Sequence, residues 1–387
     1  MTVSAELIVQ QVISDAGPLP AGASLDRIET PAAVVDLPVM AANLIRTAEY
    51  CREHGLGYRP HTKTHKSPLI GAAQLRAGAS GLTVATLREA EVMAEVAGDL
   101  LLAFPQVGAV KLARLIELAG RVERLAVALD SRGALDGLIG AVAGWKGSIG
   151  VVIELDAGMG RAGVQTPEQA VELARAVTGA KGLRYDGIMF YPGHIREAAG
   201  EQDAALEALQ KRLDRFLGAL RSAGLAPGMV SGGSTPSLWR THELAGLTEI
   251  RPGTTVFNDR TTAAIAACRW EDCAYSILAT VVSTAVPGQA VIDAGSKALA
   301  KEELRGTGGG YGALRDRPEV VVKGLSEEHG LLDLTRTTWR PGVGDRVRVI
   351  PNHVCVSVNL QERVWGAKDD LLRCQWPVAA RGRAPAG

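Results

Sequence analysis

The stretch YRPHTKTHKSP at 58–68 crowds Arg59, His61, Lys63, His65 and Lys66 together with two threonines, just behind a short apolar run. Lysine is the residue of carbonyl chemistry: an amine at a strand end, among other cations, becomes a usable nucleophile. On their own, Lys63 and Lys66 read equally well as solvated side chains. SGGSTPS at 231–237 has the small residues that let backbone N–H groups close around a phosphate, and RPGTT follows at 251–255. PNHVCVSVNL at 351–360 places His353 and Cys355 two apart, on one face if the segment is a strand. Imidazole and thiolate suit zinc, but two ligands make no complete site, and two buried strand residues are the plain alternative.

These residues need elements to hold them. Between about 31 and 253, short runs rich in Val, Ile and Leu alternate with longer stretches of helical period. The runs fall at 32–37, 55–60, 81–85, 100–104, 124–130, 150–156, 185–191, 228–233 and 248–253. In the stretch 201–224, Leu206, Leu209, Leu213, Phe216, Leu217 and Leu220 share one helix face, with Gly224 as the stop. Eight or nine strand–helix units predict an α/β fold, a (β/α)8 TIM-type barrel. An open doubly wound sheet would want a glycine-rich first turn, which the sequence lacks. After about 263 the chain reads as strand-like pieces separated by Gly, Pro and Asp turns, a C-terminal, mainly antiparallel β domain. The expected division is an N-terminal segment 1–29 packing with the β domain, a barrel 30–262, and a β domain 263–387. Barrel active sites lie at the C-terminal strand ends. The polar residues there are 59–66, 156–161, 191–194, 231–235 and 251–255.

Composition removes other classes. Of 387 residues, Lys+Arg and Asp+Glu stand at 42 each and aromatics at 4%, so neither a basic face nor stacking platforms point to nucleic acid. A 47% hydrophobic fraction is ample for a core. No apolar run reaches membrane-spanning length, and the N-terminus lacks the basic start of a signal peptide. Five cysteines at no paired spacing fit a reducing, cytoplasmic setting.

Five stretches in order, RPHTKTHK, ELDAGMGRAGV (154–164), SGGSTPS, EIRPGTTVFND and VIDAGSKALAKE (291–302), resemble the D-threonine aldolase / D-serine dehydratase group. These are fold-type III, alanine-racemase-like pyridoxal-phosphate enzymes, and the resemblance runs over about 30–383. It implies an alanine-racemase-like barrel with a β domain, and a homodimer. It also implies that Lys63 binds pyridoxal 5'-phosphate through its amine, with Arg161 and Tyr191 near the ring. The phosphate would rest on Ser231, Gly232, Gly233 and Ser234, with Gly253 and Thr254 alongside. His61 and His194 stand as further catalytic candidates. Thr255 departs from the pattern, where relatives often carry Tyr.

The same resemblance makes His353 and Cys355 metal ligands, with zinc favoured by the thiolate over manganese or magnesium. It sets His329 near them. The implied activity is a metal-dependent lyase on D-3-hydroxy-α-amino acids, either retro-aldol cleavage to glycine plus aldehyde or β-elimination to a 2-oxo acid plus ammonia. The HxC pair tilts toward dehydration. The alternatives are a metal-independent amino-acid racemase and a non-catalytic pyridoxal-phosphate-binding protein.

Overall fold

The computed structural model describes residues 3–17, 19, 23–304 and 309–385. Parts of the expected segments 1–29 and 263–387 therefore lie outside the described residues. The chain divides into two compact units, each assembled from separated stretches. One takes the residues up to Arg46, then Thr64–Ala73 and Thr254–Ala379. The other takes Thr47–Lys63, Gln74–Gly253 and the chain from Ala380.

Strand β1 (Ala32–Asp36) belongs to the first unit. The barrel unit follows with β2 (Gly57–Tyr58), β3 (Leu82–Val84), β4 (Asp99–Leu102), β5 (Arg124–Leu129), β6 (Ile149–Leu155), β7 (Leu183–Phe190), β8 (Met229–Gly232) and β9 (Glu249–Ile250). All eight are parallel, in the order β2-β9-β8-β7-β6-β5-β4-β3. The two edge strands meet through a parallel bridge between His61 and Thr83, so the sheet curls back onto itself. β6 is buried along its whole length, and Leu101, Ala126, Ala128, Val152, Met189 and Met229 fill the interior. Helices flank the strands; Asp203–Ser222 buries the six apolar residues named above and ends before Gly224 at φ 74°.

The remaining strands are β10 (Tyr275–Ser283), β11 (Gln289–Ile292), β12 (Gly312–Leu314), β13 (Arg317–Leu325), β14 (Gly330–Asp333), β15 (Arg346–Pro351), β16 (Arg363–Lys368) and β17 (Leu371–Pro377). The antiparallel pairings β10-β11-β14-β13-β12-β15 return to β10, giving a closed six-stranded ring. β1, β16 and β17 extend it from β10.

The structure corrects the expected boundary at 30. The first apolar run is not a barrel strand: β1 pairs antiparallel with β10 and parallel with β16. Its burial on both faces reads like a parallel barrel strand, and only the distant partner decides otherwise. Leu19, Ala23 and Leu25 pack on the cluster of Ile28, Ala32, Val34, Leu278, Ala367 and Leu372, while Glu6 pairs with Lys368 at 2.9 Å.

Candidate active site

In the barrel unit, Lys63 sits on the 3-10 turn Thr62–Thr64 directly after β2. His61 accepts the Lys63 N–H on Nδ1 at 3.4 Å, and its own N–H reaches the Pro252 carbonyl at 3.2 Å. His61 thus caps the turn that presents the lysine. The Lys63 Nζ lies over the Tyr191 ring, 5.6 Å from its centroid, and the Arg161 guanidinium lies 5.1 Å from the same centroid. Two cations on one phenol ring make a positively charged place built around a primary amine. Lys66, by contrast, is buried at φ 52°.

Arg161 comes from a loop held by Asp156, whose Oδ1 accepts the N–H groups of Gly158 and Gly160 at 3.1 and 3.0 Å. His194 stands against that loop: a Cβ on Gly158 would lie 3.3 Å from its ring. His194 is exposed, and Tyr191 begins the same segment after β7. The structure brings Lys63, Arg161 and Tyr191 together, and seats His194 beside the Arg161 loop.

Glu154, which sequence reasoning left out, sits underneath with Arg251, the first residue of the strand-end group 251–255. Glu154 is buried 3.4 Å from Arg161, and burial raises its carboxyl above the usual range, partly opposed by Arg161 and Arg251. Arg251, fully enclosed, donates to the Ser231 hydroxyl and to the Phe190 carbonyl at 2.9 Å. Burial lowers its guanidinium to about 10, despite the Glu249 and Glu154 carboxylates. Both stand in quoted stretches, but periodicity gives no sign that a charged side chain points inward.

Ser231, Gly232, Gly233 and Ser234 close β8 and are all buried. A Cβ on Gly232 would stand 2.2 Å from the Phe190 ring, and Gly233 holds φ 84°. The small residues are therefore required by shape at one position and by backbone at the next. With Gly253 just beyond β9, this donor set of amine, guanidinium and glycine turn fits an anionic aldehyde such as pyridoxal phosphate.

In the other unit, His353 and Cys355 do not lie on a strand. β15 ends at Pro351 and a helix runs Val354–Leu360, with His353 as its N-cap. The alternation of Val354, Val356 and Val358 reads as a strand. Burial of Val354, Ser357 and Val358, spaced as one helix face, decides for a helix. The Ser357 hydroxyl bonds the Ala298 carbonyl at 2.7 Å and pins that face.

His353 and Cys355 nevertheless interact side chain to side chain. The His353 Nδ1 is 3.5 Å from Asp259, and the Cys355 Sγ is 3.2 Å from the Thr64 hydroxyl and 3.8 Å from that of Thr254. Burial would lower the imidazole's pKa, but Asp259 and Cys355 outweigh it and hold it at about 11. Among the described residues no three His, Cys, Asp or Glu side chains gather as a ready metal cage. An imidazole beside a thiol still fits a soft divalent ion, one that keeps coordination places open to water or substrate. Thr255 is buried in the 3-10 turn Thr254–Val256. His329 is exposed, in the turn between β13 and β14.

Known proteins resemble this chain in sequence and fold. The family pattern described as alanine racemase, N-terminal domain, matches residues 35–261, and the one described as putative serine dehydratase domain matches 274–366. The D-threo-3-hydroxyaspartate dehydratase of Delftia sp. (strain HT23) is 35% identical over 353 residues, 85% of this chain and 92% of that one. The crystal structure of D-threonine aldolase from Filomicrobium marinum superposes with a TM-score of 0.87 at 30% identity, covering 95% of this chain and 99% of that one. A cysteine-to-alanine mutant of D-threo-3-hydroxyaspartate dehydratase, in metal-free form, gives 0.85 at 31%, covering 94% and 100%. A second mutant of that dehydratase replaces a histidine two residues earlier. The chain belongs to the D-threonine aldolase / D-serine dehydratase group of alanine-racemase-like proteins.

Proposed function

We propose that this chain is a pyridoxal-phosphate- and metal-dependent lyase on D-3-hydroxy-α-amino acids, with loss of water and then ammonia as its reaction. The observation that carries the dehydratase reading is the His353–Cys355 pair, two residues apart like the histidine and cysteine replaced in the dehydratase mutants. Bound to this chain, pyridoxal phosphate supplies a sink for the electrons of a bond broken at Cα, and a divalent ion supplies a Lewis acid for the β-oxygen.

The chain's own residues do the rest. Lys63 would hold the cofactor's aldehyde carbon through its amine and, once the substrate's amine has taken its place there, the freed amine would take the proton from Cα. Arg161 and Tyr191 line the ring, and Ser231, Gly232, Gly233, Ser234, Gly253 and Thr254 hold the phosphate. His353 and Cys355 hold the ion, for which zinc suits the thiolate best. His61 acts through the lysine turn that it caps, and His194 shifts protons at the mouth. The resemblance supports a homodimer, and five free thiols among the described residues support a reducing, cytoplasmic setting.

Retro-aldol cleavage is the second reading, favoured by the fit to D-threonine aldolase. Proton NMR of cofactor- and zinc-loaded protein with D-threonine separates the two. 2-Oxobutyrate is the expected product; glycine plus acetaldehyde would replace dehydration by aldol cleavage. Epimerisation at Cα that persists with chelator would mean a racemase. D-Threonine left unchanged, together with unchanged D-threo-3-hydroxyaspartate, would sink the lyase reading.

A further inference from the structure

Asp259 is fully buried, yet only one of its two oxygens is used by its own helix. Oδ1 caps the helix Arg260–Ala264, accepting the Thr262 N–H at 2.8 Å and the Thr262 hydroxyl at 2.9 Å. Oδ2 turns to a different segment. It accepts the Val354 N–H at 3.1 Å and stands 3.5 Å from the His353 Nδ1. His353, as N-cap of its helix, makes no side-chain capping bond there, so the carboxylate of Asp259 supplies an acceptor at that helix start.

One carboxylate therefore holds the Val354 N–H and faces the His353 ring at its Nδ1. A carboxylate accepts and never donates, so when an ion replaces one of the two protons of the charged ring, the proton kept is the one on Nδ1, facing Asp259. The Nε2 lone pair is then left for an ion. A carboxylate behind a ligating imidazole holds one tautomer, sets the ring plane and makes the far nitrogen a stronger donor. The Thr262 bonds, in turn, hold the carboxylate itself.

From this geometry we infer that Asp259 is a positioning residue for the metal, acting through His353 by holding its Nδ1–H and presenting Nε2. The inference rests on His353 and Cys355 being the metal ligands. Zinc affinity by chelator competition, on cofactor-loaded protein near neutral pH, is the first readout. Asp259→Asn keeps a good N-cap and removes the charge; it is expected to weaken zinc binding about 10- to 100-fold while the cofactor's visible absorption is retained. Thr262→Val, which removes the hydroxyl bonds but leaves the Thr262 N–H on Oδ1, is expected to lower thermal stability and to weaken zinc binding less than Asp259→Asn does.

Wild-type zinc affinity in a folded Asp259→Asn variant overturns the inference. Nitrogen-15 NMR of the zinc-loaded wild-type protein needs no variant: a proton on Nδ1 and metal on Nε2 are expected, and the reverse overturns the inference. His353→Ala tells the two claims apart. If that variant binds zinc like wild type, the metal-site reading fails; if it loses zinc while Asp259→Asn does not, only the inference fails.

Discussion

The Thr64 hydroxyl stands 3.2 Å from the Cys355 sulfur, and Thr64 is the residue that follows Lys63. A hydroxyl can donate to a thiolate, which has no proton to give in return. Thr64 is fully buried, so its hydroxyl has little water to turn to instead.

A hydroxyl donating to a thiolate steadies a charged ligand, and hydrogen bonds to charged groups contribute roughly 1.5–3 kcal/mol. Thr64→Val is therefore expected to weaken zinc binding by about tenfold or more, at about 1.4 kcal/mol per decade. Thr64→Ser should restore most of it. Chelator competition measures both, and equal affinity of all three proteins would remove Thr64 from the site.

Lys63 and Lys66 separate cleanly by surroundings. Lys63 faces Tyr191 beside Arg161, while Lys66 is buried in its own turn. Lys63→Ala is expected to abolish the visible absorption of cofactor-incubated protein and to leave activity undetectable. Lys66→Gln is expected to keep the absorption. A retained band in Lys63→Ala would hand the cofactor role to another amine.

Much of this was legible in the residues, and the exceptions have physical causes. The alternation of runs and helices gives the barrel because parallel strands bury both faces and need a crossover each time. The same rule misplaces 32–37, whose burial is equally two-sided but whose partners β10 and β16 lie more than two hundred residues away in sequence. At 351–360 the alternating valines mislead, because the helix there is settled by tertiary contacts such as Ser357 with Ala298. The quoted stretches marked Lys63, Arg161, His353 and Cys355 by residue type. Glu154, Arg251 and Asp259 lie inside the same stretches, and their importance comes from burial beside a partner, which spacing does not encode.

Gly232 carries a steric prediction. A methyl group there would meet the Phe190 ring at 2.2 Å, in an interior packed by β7 and β8. Overpacking of this kind costs about 1–3 kcal/mol. Gly232→Ala is expected to lower the unfolding free energy by that amount, read from the fall in denaturant midpoint, and to weaken pyridoxal-phosphate retention. A Cβ on Gly140, in the helix Arg132–Val142, would meet nothing within 4 Å, so Gly140→Ala serves as the control that loses no stability. Equal behaviour of the two variants would show that the ring gives way.

Asp272 sets an acid limit for the unit that holds His353. Its carboxylate bonds the Arg269 N–H and guanidinium, each at 3.0 Å, and the Arg46 guanidinium at 3.1 Å. Its carbonyl takes the side-chain amides of Asn43 and Asn258 at 2.8 and 3.2 Å. Burial alone would raise the carboxyl's pKa, but Arg269 and Arg46 outweigh it and hold it at about 2, below the ordinary 3.8. A group whose folded pKa is depressed adds stability that is complete above the unfolded value and is lost as pH falls toward the folded one. The contribution of Asp272 is therefore present above about pH 4 and drains away between there and about pH 2. Asp272→Asn is expected to be less stable than wild type at pH 6 and to show a shallower decline over the acid range. Denaturant unfolding at a series of pH values reads both, and identical acid slopes would remove Asp272 as the cause.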